Sequence, residues 1–183
     1  MISTRTAIRA TAGTILSVLA FAGIARAADG EVSAPPRDAR TMSAVELYML
    51  YQDRSWQWSD GAGRMQSDGR RFTAWSGSGD KFAWAQGRWT VNDDGLMCMV
   101  AQWHSASGSG PDKTCFSHKR LGDTIYQRKG PSGSWYVFKH ASHVAGDEFN
   151  KLVREDLVSG QLEKLGPAKK SSQAAKSNRS KQS

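Results

Sequence analysis

The feature that most constrains the fold is the texture of the chain between Ser55 and His140, where short runs rich in Trp, Phe, Tyr, Val and Thr alternate with Gly, Asp and Ser. Aromatic and β-branched residues favour strands, and the intervening Asp-Gly and Gly-rich pairs suit tight hairpin turns. The predicted strands are Ser55–Ser59, Arg64–Ser67, Arg71–Ser76, Lys81–Gln86, Arg88–Asn92, Leu96–His104, Lys113–Lys119 and Thr124–Arg128, followed by Trp135–His140.

Consecutive hairpins with short loops predict an antiparallel meander of about eight strands. A sheet of this length usually curls into a closed barrel, because closure removes its unpaired edges. We therefore expect a mainly β fold with short flanking helices, arranged as a small lipocalin-like barrel, with a β-sandwich as the alternative. Gly87 interrupts a strand-like run and predicts a bulge or a sharp bend.

Two helical segments are expected beside the strands. The first, Ser43–Gln52, begins with a serine that can act as N-cap and has Glu46 three residues later, which is the capping-box pattern. A second helical patch covers Gly146–Val153, and Gly160 weakens its continuation toward Leu165. The apolar residues on one side of the first helix are Leu47, Leu50 and Tyr51.

The N-terminus has the organisation of a secretory signal peptide. Arg5 and Arg9 precede an apolar stretch, Ala10–Ala25, which at roughly 16 residues is short for a membrane span. Small residues at Ala25 and Ala27 predict cleavage before Ala28. The mature protein is therefore expected in the periplasm or outside the cell, with an uncleaved membrane anchor as the alternative.

The chain divides into a signal peptide (1–27), a flexible lead-in (28–40), a single β-rich domain (41–163) and a basic tail (164–183). From Gly166 onward the tail has no hydrophobic residue larger than Ala, so it cannot bury enough area to fold and is expected to be disordered. Its six basic residues predict either a contact with an anionic envelope surface or simply a well-solvated end.

The formal net charge of +8 does not describe the folded part. The signal peptide and the tail contribute nine basic residues and no acidic ones, which leaves 16 basic and 17 acidic residues between Ala28 and Glu163. A domain that binds nucleic acid concentrates positive charge on its folded surface. The charge distribution therefore argues against nucleic acid as a partner.

The two cysteines, Cys98 and Cys115, predict one disulfide, because an even number of cysteines in an oxidising compartment normally pairs. Strand parity places both on the more polar face of one hairpin around Ser105–Asp112. A redox pair or a metal site is disfavoured, since the spacing is far from C-x-x-C and two thiolates do not complete a zinc site.

The sequence contains no pattern typical of a catalytic, metal or cofactor site. Gly77-Ser78-Gly79-Asp80 is typical of a turn rather than a nucleophile elbow. Parity places His104 and His118 on opposite faces, so they are not expected to share a metal. An enzyme that uses His118, His140 or a turn carboxylate remains a third hypothesis, after two non-enzymatic ones.

Seven tryptophans are the most prominent compositional feature. Most are expected in the core, where a buried aromatic side chain removes on the order of 150–250 Å² from water. The alternative is a stacking platform for sugar rings or the lining of an apolar cavity. The candidate ligand-binding residues are Trp75, Trp84, Trp103 and His118.

These observations lead to two main functional hypotheses. The first is a binding module for a small ligand, a glycan or an envelope protein, because the strands are rich in tryptophan and the folded part is almost neutral. The second is an envelope-associated structural or accessory protein that docks through its basic tail. The sequence leaves the ligand and the oligomeric state open.

Several short strings and single residues between Thr41 and Val158 indicate a family. They are Leu47-Tyr48, Tyr51, Ser55-Trp56-Gln57-Trp58, Asp60-Gly61, Gly63, Phe72-Thr73-Ala74-Trp75, Gly87-Arg88-Trp89, Leu96-Met97-Cys98, Trp103, Cys115-Phe116-Ser117-His118, Ile125-Tyr126-Gln127-Arg128 and Gly133-Ser134-Trp135-Tyr136. In these residues the chain resembles a family of short exported proteobacterial proteins, domain of unknown function 995. The resemblance implies an exported single domain and provides no catalytic residues to transfer.

A looser likeness is architectural. A small exported meander barrel with one disulfide is similar to lipocalin-like binders and to periplasmic lysozyme inhibitors. Ser55-Trp56 resembles the G-x-W opening of lipocalins, with Ser in place of Gly. A shared architecture does not determine function.

Overall fold

A computed structural model describes residues 31–32 and 34–165. The predicted signal peptide and the tail from Gly166 onward lie outside the described residues, and the two proposals that depend on them stay predictions. Within the described part of the chain, no helix is long and apolar enough to cross a membrane.

The described residues form eleven strands and two short α-helices. Helix α1 is Ala44–Tyr51 and helix α2 is Ser159–Leu165. The strands are β1 (Glu31–Val32), β2 (Arg40–Thr41), β3 (Arg54–Trp58), β4 (Gly61–Met65), β5 (Arg71–Ser76), β6 (Ala83–Val91), β7 (Leu96–Ser105), β8 (Gly108–Leu121), β9 (Thr124–Lys129), β10 (Trp135–Lys139) and β11 (Leu152–Val153).

All strands belong to one antiparallel sheet in which β3 to β10 follow one another as a meander. The short strand β11 pairs with β3 at one end of this order and β1 pairs with β10 at the other, while β2 pairs with the end of β8. The fold is therefore mainly antiparallel β, as the sequence predicts, and it is a single sheet rather than a sandwich.

The sheet curls into a barrel-like shape, so that its first and last long strands approach each other. The ring of Trp56 on β3 lies 5.8 Å from that of Phe138 on β10, centroid to centroid. A 3₁₀ turn, Glu148–Lys151, lies between these two strands, since Phe149 packs against Phe138 and the Trp56 indole donates a hydrogen bond to Glu148. Strands β3 and β10 are not hydrogen-bonded to each other, and this turn covers the gap between them.

Helix α1 closes one end of the barrel. Its capping box is present, because the Ser43 hydroxyl accepts a hydrogen bond from the Glu46 amide and the Glu46 carboxylate accepts one from the Ser43 amide. The Glu46 carboxylate also binds Arg40 and Arg120, and the hydrogen bond from Arg40 is the main reason that its pKa lies far below its usual range. These contacts anchor the helix to β2 and β8.

The buried face of α1 supplies the middle of the core. Leu47 and Tyr51 are fully buried, and the Tyr48 ring stacks on Trp89 with centroids 5.6 Å apart. Met65 and Met97 complete the packing from the facing strands. The helix predicted at Ser43–Gln52 is thus confirmed, and it serves as a plug inside one end of the curled sheet.

The bulge predicted as one alternative at Gly87 does not occur. Strand β6 pairs without a register shift with β5 from Ala83 to Arg88 and with β7 from Trp84 to Val91. The glycine is explained instead by close approach of β7, because a Cβ at position 87 would lie only 2.6 Å from the Cα of Ala101 and would also clash with the Val100 carbonyl. Gly87 therefore marks a site of tight packing between β6 and β7 rather than a bulge.

The bounds of several other elements in the structure differ from the predicted ones. Strand β8 begins at Gly108 rather than Lys113, because the hairpin turns tightly between Ser105 and Gly108. The predicted strand Arg64–Ser67 lies instead at Gly61–Met65. The predicted helical patch at 146–153 is a 3₁₀ turn followed by strand β11, and helix α2 does extend through Gly160.

The cysteine pair forms the predicted disulfide. Cys98 on β7 and Cys115 on β8 lie directly opposite each other, with their Cα atoms 4.1 Å apart. Their side chains point to the outer face, as strand parity predicts, whereas Met97 and Phe116 point inward. The bridge ties together the two longest strands of the sheet.

Replacing both cysteines by alanine is expected to lower the free energy of unfolding by about 3 kcal/mol, because the bridge closes a short loop and limits the freedom of the unfolded chain. Urea unfolding of the double variant measures this loss, and the wild-type protein under reducing conditions should show the same loss. An unchanged midpoint in both samples would contradict a structural role for the bridge.

Replacing Gly87 by alanine is expected to cost about 1–3 kcal/mol of stability, because the added methyl group overpacks the contact with β7. Gly110→Ala on β8 is the matched control, since a Cβ there would have no neighbour within 4 Å. Thermal unfolding followed by circular dichroism compares the two. Equal midpoints would show that the close approach at Gly87 is not required.

Candidate functional site

An aromatic cavity lies at the end of the barrel opposite helix α1. Its volume is about 370 Å³, and its walls come from strands β3, β4, β5, β7, β8, β9 and β10 and from Glu148 of the 3₁₀ turn. The apolar walls of this cavity are provided by Trp56, Trp58, Phe72, Met99, Trp103 and Phe116.

The sequence forms the cavity by placing large and small residues on the inward face of neighbouring strands. Trp56 and Trp58 alternate with outward residues on β3, and Met99 and Trp103 do so on β7. Gly63 lies opposite Trp56 on the next strand, and a Cβ there would lie 2.7 Å from the Phe72 ring. Small residues such as Gly63 therefore leave room for the large aromatic rings to lie along the cavity walls. The space between the rings of opposite walls stays open.

The polar groups of the cavity are few. Glu148 accepts a hydrogen bond of 2.9 Å from the Trp56 indole nitrogen, and its other oxygen binds Lys151 at 2.6 Å. Asp112 accepts a bond of 3.1 Å from the Thr114 hydroxyl. Lys129 is exposed at the rim and has no ion-pair partner within 4.0 Å in the described part of the chain.

A buried hydrogen-bond network lies between the cavity and helix α1. The Tyr136 phenol, on the cavity wall, donates to the Gln127 side-chain oxygen. The Gln127 side-chain nitrogen lies 2.7 Å from the Tyr51 hydroxyl and 2.7 Å from His118 Nε2. The Tyr51 hydroxyl is also 2.7 Å from His118 Nε2, so the three side chains contact one another. His118 Nδ1 is 3.2 Å from the Gly95 carbonyl oxygen.

This network holds its ionisable groups in their neutral forms. His118 is 1% exposed, and burial lowers its pKa to about 4. Burial also raises the pKa of the Tyr51 phenol and that of the Tyr136 phenol. A neutral His118 that donates from Nδ1 to Gly95 accepts at Nε2, which suits the hydroxyl and amide donors that surround it.

The four candidate residues from the sequence do not form one site. Trp103 lines the cavity, and His118 belongs to the buried network behind it. Trp75 and Trp84 lie on the outer face, where the Trp75 indole donates to the Leu157 carbonyl at 2.9 Å. One face of Trp84 is covered by His104, with ring centroids 4.1 Å apart and planes 17° apart.

Sequence reasoning did not assign the other cavity residues to a site. The sequence predicts most tryptophans in the core, and Trp56 and Trp58 do lie inside, but a core and a cavity lining have the same sequence pattern. No sequence pattern marks Tyr136 and Lys129 as cavity residues, because they reach the cavity only through the curl that brings β9 and β10 toward β3.

His140, one of the residues of the enzyme hypothesis, lies outside the cavity. Its Nδ1 is 2.5 Å from an Asp147 carboxylate oxygen, and its amide donates to the other oxygen at 2.8 Å. The pair holds the chain between β10 and the 3₁₀ turn. Within the described ranges, no group of three potential metal ligands occurs.

The free energy of unfolding is expected to fall by roughly 3 kcal/mol as the pH drops from about 6.5 to about 4, through His118. Its folded pKa is lowered by burial, so the unfolded chain binds a proton in this range and the native state does not. Urea unfolding at about pH 7 and about pH 4.5 measures the change. The variant His118→Gln should show a smaller pH dependence, and an equal dependence in both proteins would contradict the buried neutral state.

The sequence profile of one family matches residues 16–158, and that family is described as protein of unknown function (DUF995). No curated protein and no solved structure matches the chain. The family match includes every strand from β1 to β11 as well as helix α1. It covers far more than half of the 183 residues, and the chain therefore belongs to the DUF995 family.

Proposed function

We propose that this protein binds a small, largely apolar ligand in the aromatic cavity. The observation that carries the proposal is the cavity itself, about 370 Å³ of space bounded by tryptophan, phenylalanine and methionine side chains inside an otherwise packed barrel. Ligand pockets in proteins typically have roughly 300–1,000 Å³ and mostly apolar walls. At about 30 Å³ per heavy atom, the space suits a molecule of roughly a dozen such atoms.

The polar groups of the walls favour an apolar body over a sugar ring. The Trp56 indole is already bonded to Glu148, and the Tyr136 phenol to Gln127. A sugar needs hydrogen-bond partners for several hydroxyl groups, since a buried hydroxyl without a partner costs free energy. An apolar chain or ring needs none.

The rim of the cavity favours a ligand with one polar end. Lys129, the exposed last residue of β9, lies among the cavity residues. A charged end group placed there keeps its contact with water, while the apolar part lies between Trp58, Trp103 and Phe116. A medium-chain fatty acid has this arrangement of properties.

The proposal includes export of the protein from the cytoplasm. It is supported by the N-terminal pattern of Arg5, Arg9 and the apolar stretch up to Ala25, and by the disulfide between Cys98 and Cys115. A disulfide-bonded barrel with an apolar cavity suits a carrier or sensor of small amphiphiles in an oxidising compartment.

Dodecanoate is expected to bind the purified protein and to change its tryptophan fluorescence, whereas chitotriose is not. The variant Thr114→Phe places a ring inside the cavity and should weaken dodecanoate binding by at least about tenfold, or 1.4 kcal/mol. The same change at Thr90, which is exposed on the outer face of β6, is the matched control and should leave the affinity within about twofold.

Two results would contradict the proposal. One is equal dodecanoate affinity for Thr114→Phe and Thr90→Phe, because binding would then lie elsewhere on the molecule. The other is binding of chitotriose in preference to dodecanoate, which would mean that the aromatic walls recognise a glycan. Circular dichroism of each variant verifies that the fold is retained.

A further inference from the structure

Two arginines lie side by side on the outer face of the sheet, away from the aromatic cavity. Arg71 on β5 and Arg88 on β6 are direct cross-strand partners. Like charges directly opposite each other destabilise a sheet, so the contact between the two arginines does not itself stabilise the fold. The guanidinium of the adjacent Arg70 lies instead over the rings of Tyr48 and Trp89, 4.3 Å and 4.8 Å from their centroids.

The two arginines line a groove of about 440 Å³, named here the arginine groove. Its side walls carry neutral hydrogen-bonding side chains from Gln66, Thr73 and Gln86. Thr73 and Gln86 are themselves cross-strand partners, so a row of polar side chains lies next to the row of charged ones. The groove therefore combines two positive charges with amide and hydroxyl groups.

The positive charges are only partly balanced by protein groups. Arg71 donates to the Asp68 carboxylate at 2.8 Å, but the Asp68 side chain is 83% exposed, and such a surface pair contributes little. Arg88 donates to the Gly69 carbonyl at 2.9 Å and has no carboxylate within 4.0 Å in the described part of the chain. Each of these contacts uses one terminal nitrogen, which leaves further N–H groups of both guanidiniums for a ligand.

The geometry points to the arginine groove as a binding site for a phosphorylated sugar. A phosphate monoester carries a charge of about −1.5 to −2 at pH 7, which matches two guanidiniums. The planar guanidinium suits phosphate oxygens, to which it donates two parallel hydrogen bonds. Gln66, Thr73 and Gln86 supply the donors and acceptors that the sugar hydroxyls require.

Glucose 6-phosphate is the probe for this site, and isothermal titration calorimetry of the full chain is the measurement. We expect binding of glucose 6-phosphate and weaker binding as sodium chloride rises from about 20 mM to about 500 mM. Glucose, which lacks the charge, should not bind. Glucuronate, with one negative charge, should bind at least about tenfold more weakly.

The variants Arg71→Gln and Arg88→Gln are each expected to weaken glucose 6-phosphate binding by at least about tenfold, which is the size of a lost charge-assisted hydrogen bond. Arg37→Gln removes the same charge from an exposed position in the lead-in and should leave the affinity within about twofold. Arg88→Gln should change the melting temperature little, because relief of the like-charge contact offsets the loss of the exposed hydrogen bond to the Gly69 carbonyl.

Some outcomes would overturn this inference. They are equal affinity in Arg71→Gln, Arg88→Gln and Arg37→Gln, preference for glucuronate over glucose 6-phosphate, or binding to vesicles of phosphatidylglycerol without binding of glucose 6-phosphate. The site lies on the opposite face of the sheet from the cavity, so its test and the dodecanoate test succeed or fail independently.

Discussion

The structure depends on how the interior of one curled antiparallel sheet is packed. Helix α1 fills one end, where Tyr48 stacks on Trp89 and Tyr51 reaches the centre of the core. The buried Tyr51, His118 and Gln127 network continues this filling with polar groups that satisfy one another. Beyond this network, no helix of residues 34–165 enters the barrel, and the facing tryptophans leave the space that we interpret as a ligand cavity.

The curl itself depends on residues that allow strands to approach closely. Gly87 lies against the backbone of β7, and Gly63 lies against the Phe72 ring, so both positions exclude a side chain. The disulfide on the outer face then fixes the register of β7 and β8. The same alternation of faces that forms the cavity also presents Arg71 and Arg88 as cross-strand partners on the outside, where we propose that they bind a phosphorylated sugar.

Much of this fold follows from local sequence. The aromatic runs predicted the strands, Ser43 and Glu46 predicted the capped helix, and strand parity placed Cys98 and Cys115 on the same face of one hairpin. Gly87 was misinterpreted because a glycine within a strand has the same local signature whether it forms a bulge or accommodates a neighbouring backbone. The cavity was predictable only in part. Trp103 was a candidate, but its meeting with Trp58, Phe116 and Tyr136 depends on the curl of the whole sheet, which no local pattern specifies.

The central claim is that Trp56, Trp58 and Trp103 form a ligand site and that the outward-facing tryptophans do not. Fluorine NMR of protein labelled with 5-fluorotryptophan tests this claim most directly, because each tryptophan gives its own resonance. On addition of dodecanoate, we predict shifts at Trp56, Trp58 and Trp103, with Trp84 and Trp135 unchanged. Shifts confined to Trp84 and Trp135, or no shifts at saturating dodecanoate, would contradict the account.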